Sequence, residues 1–198
     1  MNLEKLIDKN GPPQSLIFSL ENNTYYAIWG FDDILSINID NPNLENSMHE
    51  FQKTINGWKK ESKEIAALGY LSYDAKQLFY PHIKFKSTNP SIPLLWFGKP
   101  SEVIKIEKSD IIALNDKKNI VIEKKRDLKN LEYYKDKIDI IKSYLHSGDV
   151  YQINYTQPME YSLDVMHPFD AFISLFDSSK PRFGAYLDTK SFQILSMS

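Results

Sequence analysis

The chain contains no cysteine, which excludes disulfides, zinc–thiolate sites and thiol nucleophiles in one step. That absence fits a reducing, cytoplasmic setting. Only two arginines occur, Arg126 and Arg182, whereas readers of bases and phosphates favour that forked side chain. A net charge of −2 supplies no general attraction to nucleic acid or to an anionic membrane. The seven glycines, at 11, 30, 57, 69, 98, 148 and 184, stand far apart. No phosphate-cradling loop or dinucleotide fingerprint can be assembled from them. His49, His82, His146 and His167 show no helical metal-ligand spacing and read as surface or loop residues. No Gly-x-Ser-x-Gly elbow occurs. The N-terminus lacks a signal pattern, and no apolar run approaches the ~20 residues that span a bilayer. The expectation is a cytoplasmic chain with neither a nucleic-acid nor a membrane partner.

What is present is apolar and aromatic. Hydrophobic residues make up 42% of the 198 and aromatic ones 13%, enough to bury a core and to exclude a disordered tail. Residues 15–20 and 24–30 read as a hairpin turning at Glu21-Asn22-Asn23. Met48, Phe51, Ile55 and Trp58 mark one face of a helix. Residues 65–73 read as a buried strand, and 94–97, 102–107 and 119–124 as three more, with a polar turn at 115–118. Leu131, Tyr134, Ile138, Ile141 and Leu145 stripe a helix over 131–146. Asn130 is its expected N-cap and Gly148 its left-handed stop. A strand over 150–157 follows, then a helix over 168–176 with Pro168 in its first turn. The last element is a hairpin over 182–197 turning at Asp188-Thr189-Lys190. Strands joined mostly by hairpins predict an α+β fold with largely antiparallel sheets and packed helices.

Within the strand expected at 150–157, Gln152, Asn154 and Thr156 share one face. Uncharged hydrogen-bonding groups cost roughly 1–3 kcal/mol each if buried without partners. The row is either a polar layer inside a ligand cavity or the wet face of an amphipathic strand, and the pattern alone favours the wet face. The basic run Lys124-Lys125-Arg126 with Lys129 has no interleaved aromatics and reads as a solvated connection.

The stretch Ser147-Gly148-Asp149-Val150-Tyr151-Gln152-Ile153-Asn154-Tyr155-Thr156-Gln157 resembles the helix-to-strand signature of the chorismate-binding enzymes, the family of the anthranilate and aminodeoxychorismate synthases. Tyr-Gln-Ile-Asn is closer to the aminodeoxychorismate (para-aminobenzoate) branch; the anthranilate branch more often carries Phe-Gln-Val-Val. Upstream, Gly69-Tyr70-Leu71-Ser72-Tyr73-Asp74 resembles the family's Gly-Tyr-x-x-Tyr-Asp signature. Near the end, Phe183-Gly184-Ala185-Tyr186-Leu187 and Ile194-Leu195-Ser196-Met197-Ser198 resemble the hairpin that leads into a Pro-Glu-Arg-Phe continuation. The four matches occur in family order.

The resemblance implies an incomplete anthranilate-synthase-like sandwich: an N-terminal region over 1–130, and the start of the chorismate-binding region over 131–198. It implies an enzyme that takes chorismate as substrate, uses Mg2+ when complete, and receives ammonia from a glutamine amidotransferase subunit. The magnesium-binding and catalytic groups of the family lie beyond Ser198, so no catalytic residue or metal ligand is expected in this chain. A tryptophan pocket, by motif position, would draw on Ser19, Leu20, Glu21, Arg182, Phe183 and Gly184. Where the family shows Asn-Pro-x-Pro, this chain has Ser179-Lys180-Pro181-Arg182, so a cation replaces a rigid ring in that wall. Arg182 faces a ligand carboxylate, fills or closes the cavity, or makes a surface ion pair with Asp177 or Asp188. The alternative of another class is a non-catalytic module that binds an amino acid or a partner subunit. An isolated half-sandwich would also leave apolar surface uncovered, which predicts self-association.

Overall fold

The computed structural model describes residues 3–19, 24–41, 43–62, 64–80, 82–83, 85, 90–115, 120–127, 131–165 and 167–198. The chain runs α1 (Leu3–Asn10), β1 (Ser15–Ser19), β2 (Thr24–Ile37), α2 (Ser47–Glu61), β3 (Leu68–Leu71), α3 (Lys76–Phe79), β4 (Leu95–Ile106) and α4 (Lys108–Asn115). It continues through β5 (Val121–Asp127), α5 (Leu131–Ser147), β6 (Met159–Asp164), α6 (Pro168–Ser179), β7 (Phe183–Asp188) and β8 (Gln193–Met197). Two compact units result, one of residues 1–117 with 172–198 and one of 118–171.

The first unit is built on a six-stranded sheet of order β3-β4-β2-β1-β7-β8. Every pairing in it is antiparallel, as expected of the α+β class. The β1–β2 hairpin forms with Ser19 opposite Thr24; Leu20, Glu21 and the rest of its turn lie outside the described residues. β2 continues past Gly30 to Ile37 through a bulge between Phe31 and Asp33. The strands expected at 94–97 and 102–107 are one strand, β4. Gly98 and Pro100 fall between the two expected stretches, yet Gly98 pairs with both Ile34 and Leu68, and Pro100 stands opposite Phe31 at the bulge. A bulge interrupts the ladder locally, which is where a residue without an N–H is tolerated.

β3 is shorter than expected and only partly buried. Its chain leaves at Ser72 into a 3-10 turn over Tyr73–Ala75 and then α3. Gly69 is required there, because a Cβ on it would lie 2.0 Å from the Trp96 carbonyl oxygen. Ala75 and Leu78 join Ile37, Leu94 and Leu95 in a core cluster, onto which Met48 and Phe51 of α2 pack. Each fully buried aliphatic side chain of this kind contributes about 1.5–3 kcal/mol. Under the other end of the sheet, Phe18 stacks on Tyr25 at 5.8 Å and meets Phe176 edge-on at 4.8 Å. The stripe Phe169, Phe172, Ile173 and Phe176 of α6 is buried, as its spacing predicts.

Sequence reasoning left α4 unassigned. Its signal is Glu107-Lys108-Ser109-Asp110, in which Asp110 reaches back to accept the Glu107 backbone N–H at 3.0 Å, half of a capping box. Ile111 and Leu114 then bury one face. Of the polar turn expected at 115–118, Asn115 closes α4 and 116–118 lie outside the described residues.

In the second unit β5 and β6 pair antiparallel, and α5 connects toward residues 148–158. Gly148 ends α5 at φ +78°. Its N–H donates to the Leu145 carbonyl and that of Asp149 to the Tyr144 carbonyl, the paired bonds of a Schellman stop. Asn130, the expected cap at the other end, lies outside the described residues. The expected stripe of α5 is not buried: no residue of the helix is, and Leu131 is 67% exposed.

The strand expected over 150–157 is not formed. Residues 151–158 run without a ladder before β6 begins. Among the described residues no strand lies beside it, since β5 and β6 pair with each other.

Candidate functional site

Ser19 ends β1 between two neighbours, facing Thr24 on β2 and Phe183 on β7. Phe18 stands opposite Gly184 in the same ladder. Three of the six residues assigned by motif position to a tryptophan pocket are thus brought together, although the chain separates them by more than 160 positions. Arg182 lies exposed immediately before β7; Leu20 and Glu21 lie outside the described residues.

The sheet divides this group between its faces. Residues directly opposite in an antiparallel ladder share a face, and successive residues alternate. Ser19 and Phe183 therefore share one face, with the ring of Phe183 partly exposed and the hydroxyl of Ser19 buried without a hydrogen-bond partner among the described residues. Gly184 belongs to the other face, where a Cβ would fall 2.2 Å from Cε1 of Phe18. Its missing side chain is what admits the Phe18 ring. A hydroxyl beside an aromatic ring can bind a ligand's polar edge and apolar body together.

Gln152, Asn154 and Thr156 are all exposed. The Gln152 amide donates to Asn154 Oδ1 at 3.4 Å, a contact on the surface. Tyr155 instead turns toward α5, its ring 5.6 Å from that of Tyr134.

The Gly-Tyr-x-x-Tyr-Asp segment presents two unlike tyrosines. Tyr70 is in β3 with its hydroxyl buried and without a partner among the described residues, and desolvation pushes its pKa up to about 12. Tyr73 is 90% exposed and carries Lys76 Nζ 4.3 Å above its ring, while Lys76 also pairs with Asp74 at 2.7 Å. His167 accepts the Phe169 N–H on Nδ1 at 3.1 Å, capping α6. Among the described residues, no group of three or more His, Asp or Glu gathers to hold a metal ion. No described helix is long and apolar enough to cross a membrane.

Residues 113–198 match the family model of the chorismate binding enzymes. The match takes in α5, its glycine stop, the Gln152-Ile153-Asn154 segment and the β7–β8 hairpin. It supports placing this part of the chain among the chorismate-utilising enzymes. No curated protein matches the chain.

Proposed function

We propose that this chain is the N-terminal portion of aminodeoxychorismate synthase component I, on the para-aminobenzoate branch toward folate. The observation that carries the reading is the family match over 113–198, within which Tyr151-Gln152-Ile153-Asn154 has the character of that branch. The complete enzyme adds ammonia to the ring of chorismate and expels the ring hydroxyl as water, giving 4-amino-4-deoxychorismate. A glutamine amidotransferase subunit supplies the ammonia. On this reading the acid–base groups and the Mg2+ ligands come from sequence following Ser198. The described residues contribute the sheet, the α5 stop and the Ser19–Phe183 wall. That wall is the place proposed for tryptophan; Ser19 supplies a hydroxyl and Phe183 a ring for an indole-bearing ligand, while Gly184 acts from the opposite face by admitting Phe18.

The first test is to read the coding DNA past the Ser198 codon and express whatever it encodes. Incubation with chorismate, ammonium and Mg2+ should then yield 4-amino-4-deoxychorismate, converted to para-aminobenzoate by an added lyase. Anthranilate as the product would move the protein to the sister branch. A stop codon at that point would leave an amino-acid-binding or subunit-binding module. For the pocket, calorimetry with millimolar tryptophan should give saturable heat that Ser19→Ala weakens, and no heat would remove tryptophan from the reading.

A further inference from the structure

The six-stranded sheet of the first unit has two edges, β3 and β8, and they approach each other. Tyr70 of β3 and Phe192, just ahead of β8, have ring centroids 6.1 Å apart. Beside them is a cavity of about 260 Å³ lined by residues that include Ser36, Asn38, Ser91, Trp96, Ser191 and Phe192. We propose that this cavity is a second binding site, for a small uncharged ring bearing hydroxyls: a free sugar or cyclic polyol.

The walls are held in place before any ligand arrives. Trp96 is 5% exposed and is met edge-on by Phe31 at 5.2 Å. On the opposite wall, Thr189 and Phe192 are tied by three hydrogen bonds. The Thr189 N–H and hydroxyl both donate to the Phe192 carbonyl, and the Phe192 N–H donates to Thr189 Oγ1. A pre-formed wall avoids an ordering cost on binding.

The lining selects the ligand's chemistry. Among the described residues, none of those that line it is ionisable, so they offer a carboxylate or phosphate no countercharge for the hydration it would lose there. Serine hydroxyls both donate and accept, and the Asn38 amide does each from a different atom. That versatility suits hydroxyls arranged around a ring, while Trp96, Phe192 and Pro93 offer apolar surface to its C–H face. Tyr70 stands directly opposite Trp96 in the β3–β4 ladder, on the same face. Its ring meets that of Phe192 at 6.1 Å and so braces the aromatic wall.

The site is separate from the Ser19–Phe183 wall and does not rest on the chorismate reading. The test is a nitrogen–proton spectrum of the unaltered chain, with the Trp96 indole signal identified from a Trp96→Phe sample. Titration with glucose, ribose and inositol should move the Trp96 indole and Phe192 amide signals saturably for at least one of them. Glucose 6-phosphate should bind at least about tenfold more weakly, a difference of about 1.4 kcal/mol. Replacing the exposed pair Ser36→Ala and Asn38→Ala should raise the midpoint about fivefold, and the unchanged remainder of the spectrum would show that the fold is kept. Absence of a saturable shift with all three neutral probes would overturn the proposal. So would equal binding of the phosphate, or a shift produced only by a flat base such as adenine.

Discussion

Gly184→Ala is the smallest change that tests the packing under β7. The added methyl would lie 2.2 Å from Cε1 and 2.5 Å from Cζ of Phe18, against an ordinary carbon–carbon contact of about 3.5–4.0 Å. Phe18 cannot swing aside freely, because it is 5% exposed and held by Tyr25 and Phe176. Overpacking of this kind costs about 1–3 kcal/mol. With a urea slope of about 1–3 kcal/mol per molar, the unfolding midpoint should fall by roughly 1 M. Tryptophan fluorescence reports on the right unit, since Trp29, Trp58 and Trp96 all lie in it. Phe18→Leu should itself cost about 1 kcal/mol or more through lost volume, but it makes room for the methyl. The double variant should then be more stable than the sum of the single changes predicts, by at least about 1 kcal/mol of coupling. An unchanged midpoint for Gly184→Ala, or strict additivity in the cycle, would refute the argument.

Other perturbations separate different causes. Gly148→Val should cost about 1–2 kcal/mol through backbone strain alone, because φ is +78° while nothing lies within 4 Å of the added Cβ. Gly148→Asn should cost less, and thermal melts showing no loss with Val would mean that the left-handed stop is not needed. Tyr70 has its pKa raised by burial from 10.0 to about 12, so its neutral form is the one compatible with the fold. Stability should hold below pH 10 and fall as pH rises toward 12. Tyr70→Phe should flatten that fall without abolishing it, since burial also raises the pKa of Tyr25; identical pH profiles would refute the assignment. The second unit leaves Leu131, Tyr151 and Met159 at 67%, 98% and 59% exposure. The chain should therefore self-associate and bind an apolar dye, an expectation that sedimentation of a clean, dye-negative monomer would overturn.

Local chemistry was legible where one element decides its own form. Gly148 predicted a left-handed stop, Pro168 a helix start, and Asp188-Thr189-Lys190 a turn, and each is present. Reading failed where a neighbour decides. Gly98 and Pro100 look like a break in isolation, yet β2 on one side and β3 on the other carry β4 through them. The alternation at 150–157 looks like a strand, yet no strand among the described residues lies beside it to supply a ladder. α4 was missed for a different reason: its capping bond comes from Asp110, where the usual pattern has Glu or Gln.

The wall at Ser19 shows the limit most clearly. Motif position could name Ser19, Phe183 and Gly184 as one group, but only the register says what each can do. A shift of one residue between β1 and β7 would exchange the faces of the whole set. In the register observed, Ser19 and Phe183 stand on one face, the face on which the proposed function puts a ligand. Gly184 works from the opposite face, through the space it leaves for Phe18. Substitution at Gly184 should therefore act first on stability, and substitution at Ser19 or Phe183 first on binding. That division follows from the ladder, and no spacing in the sequence contains it.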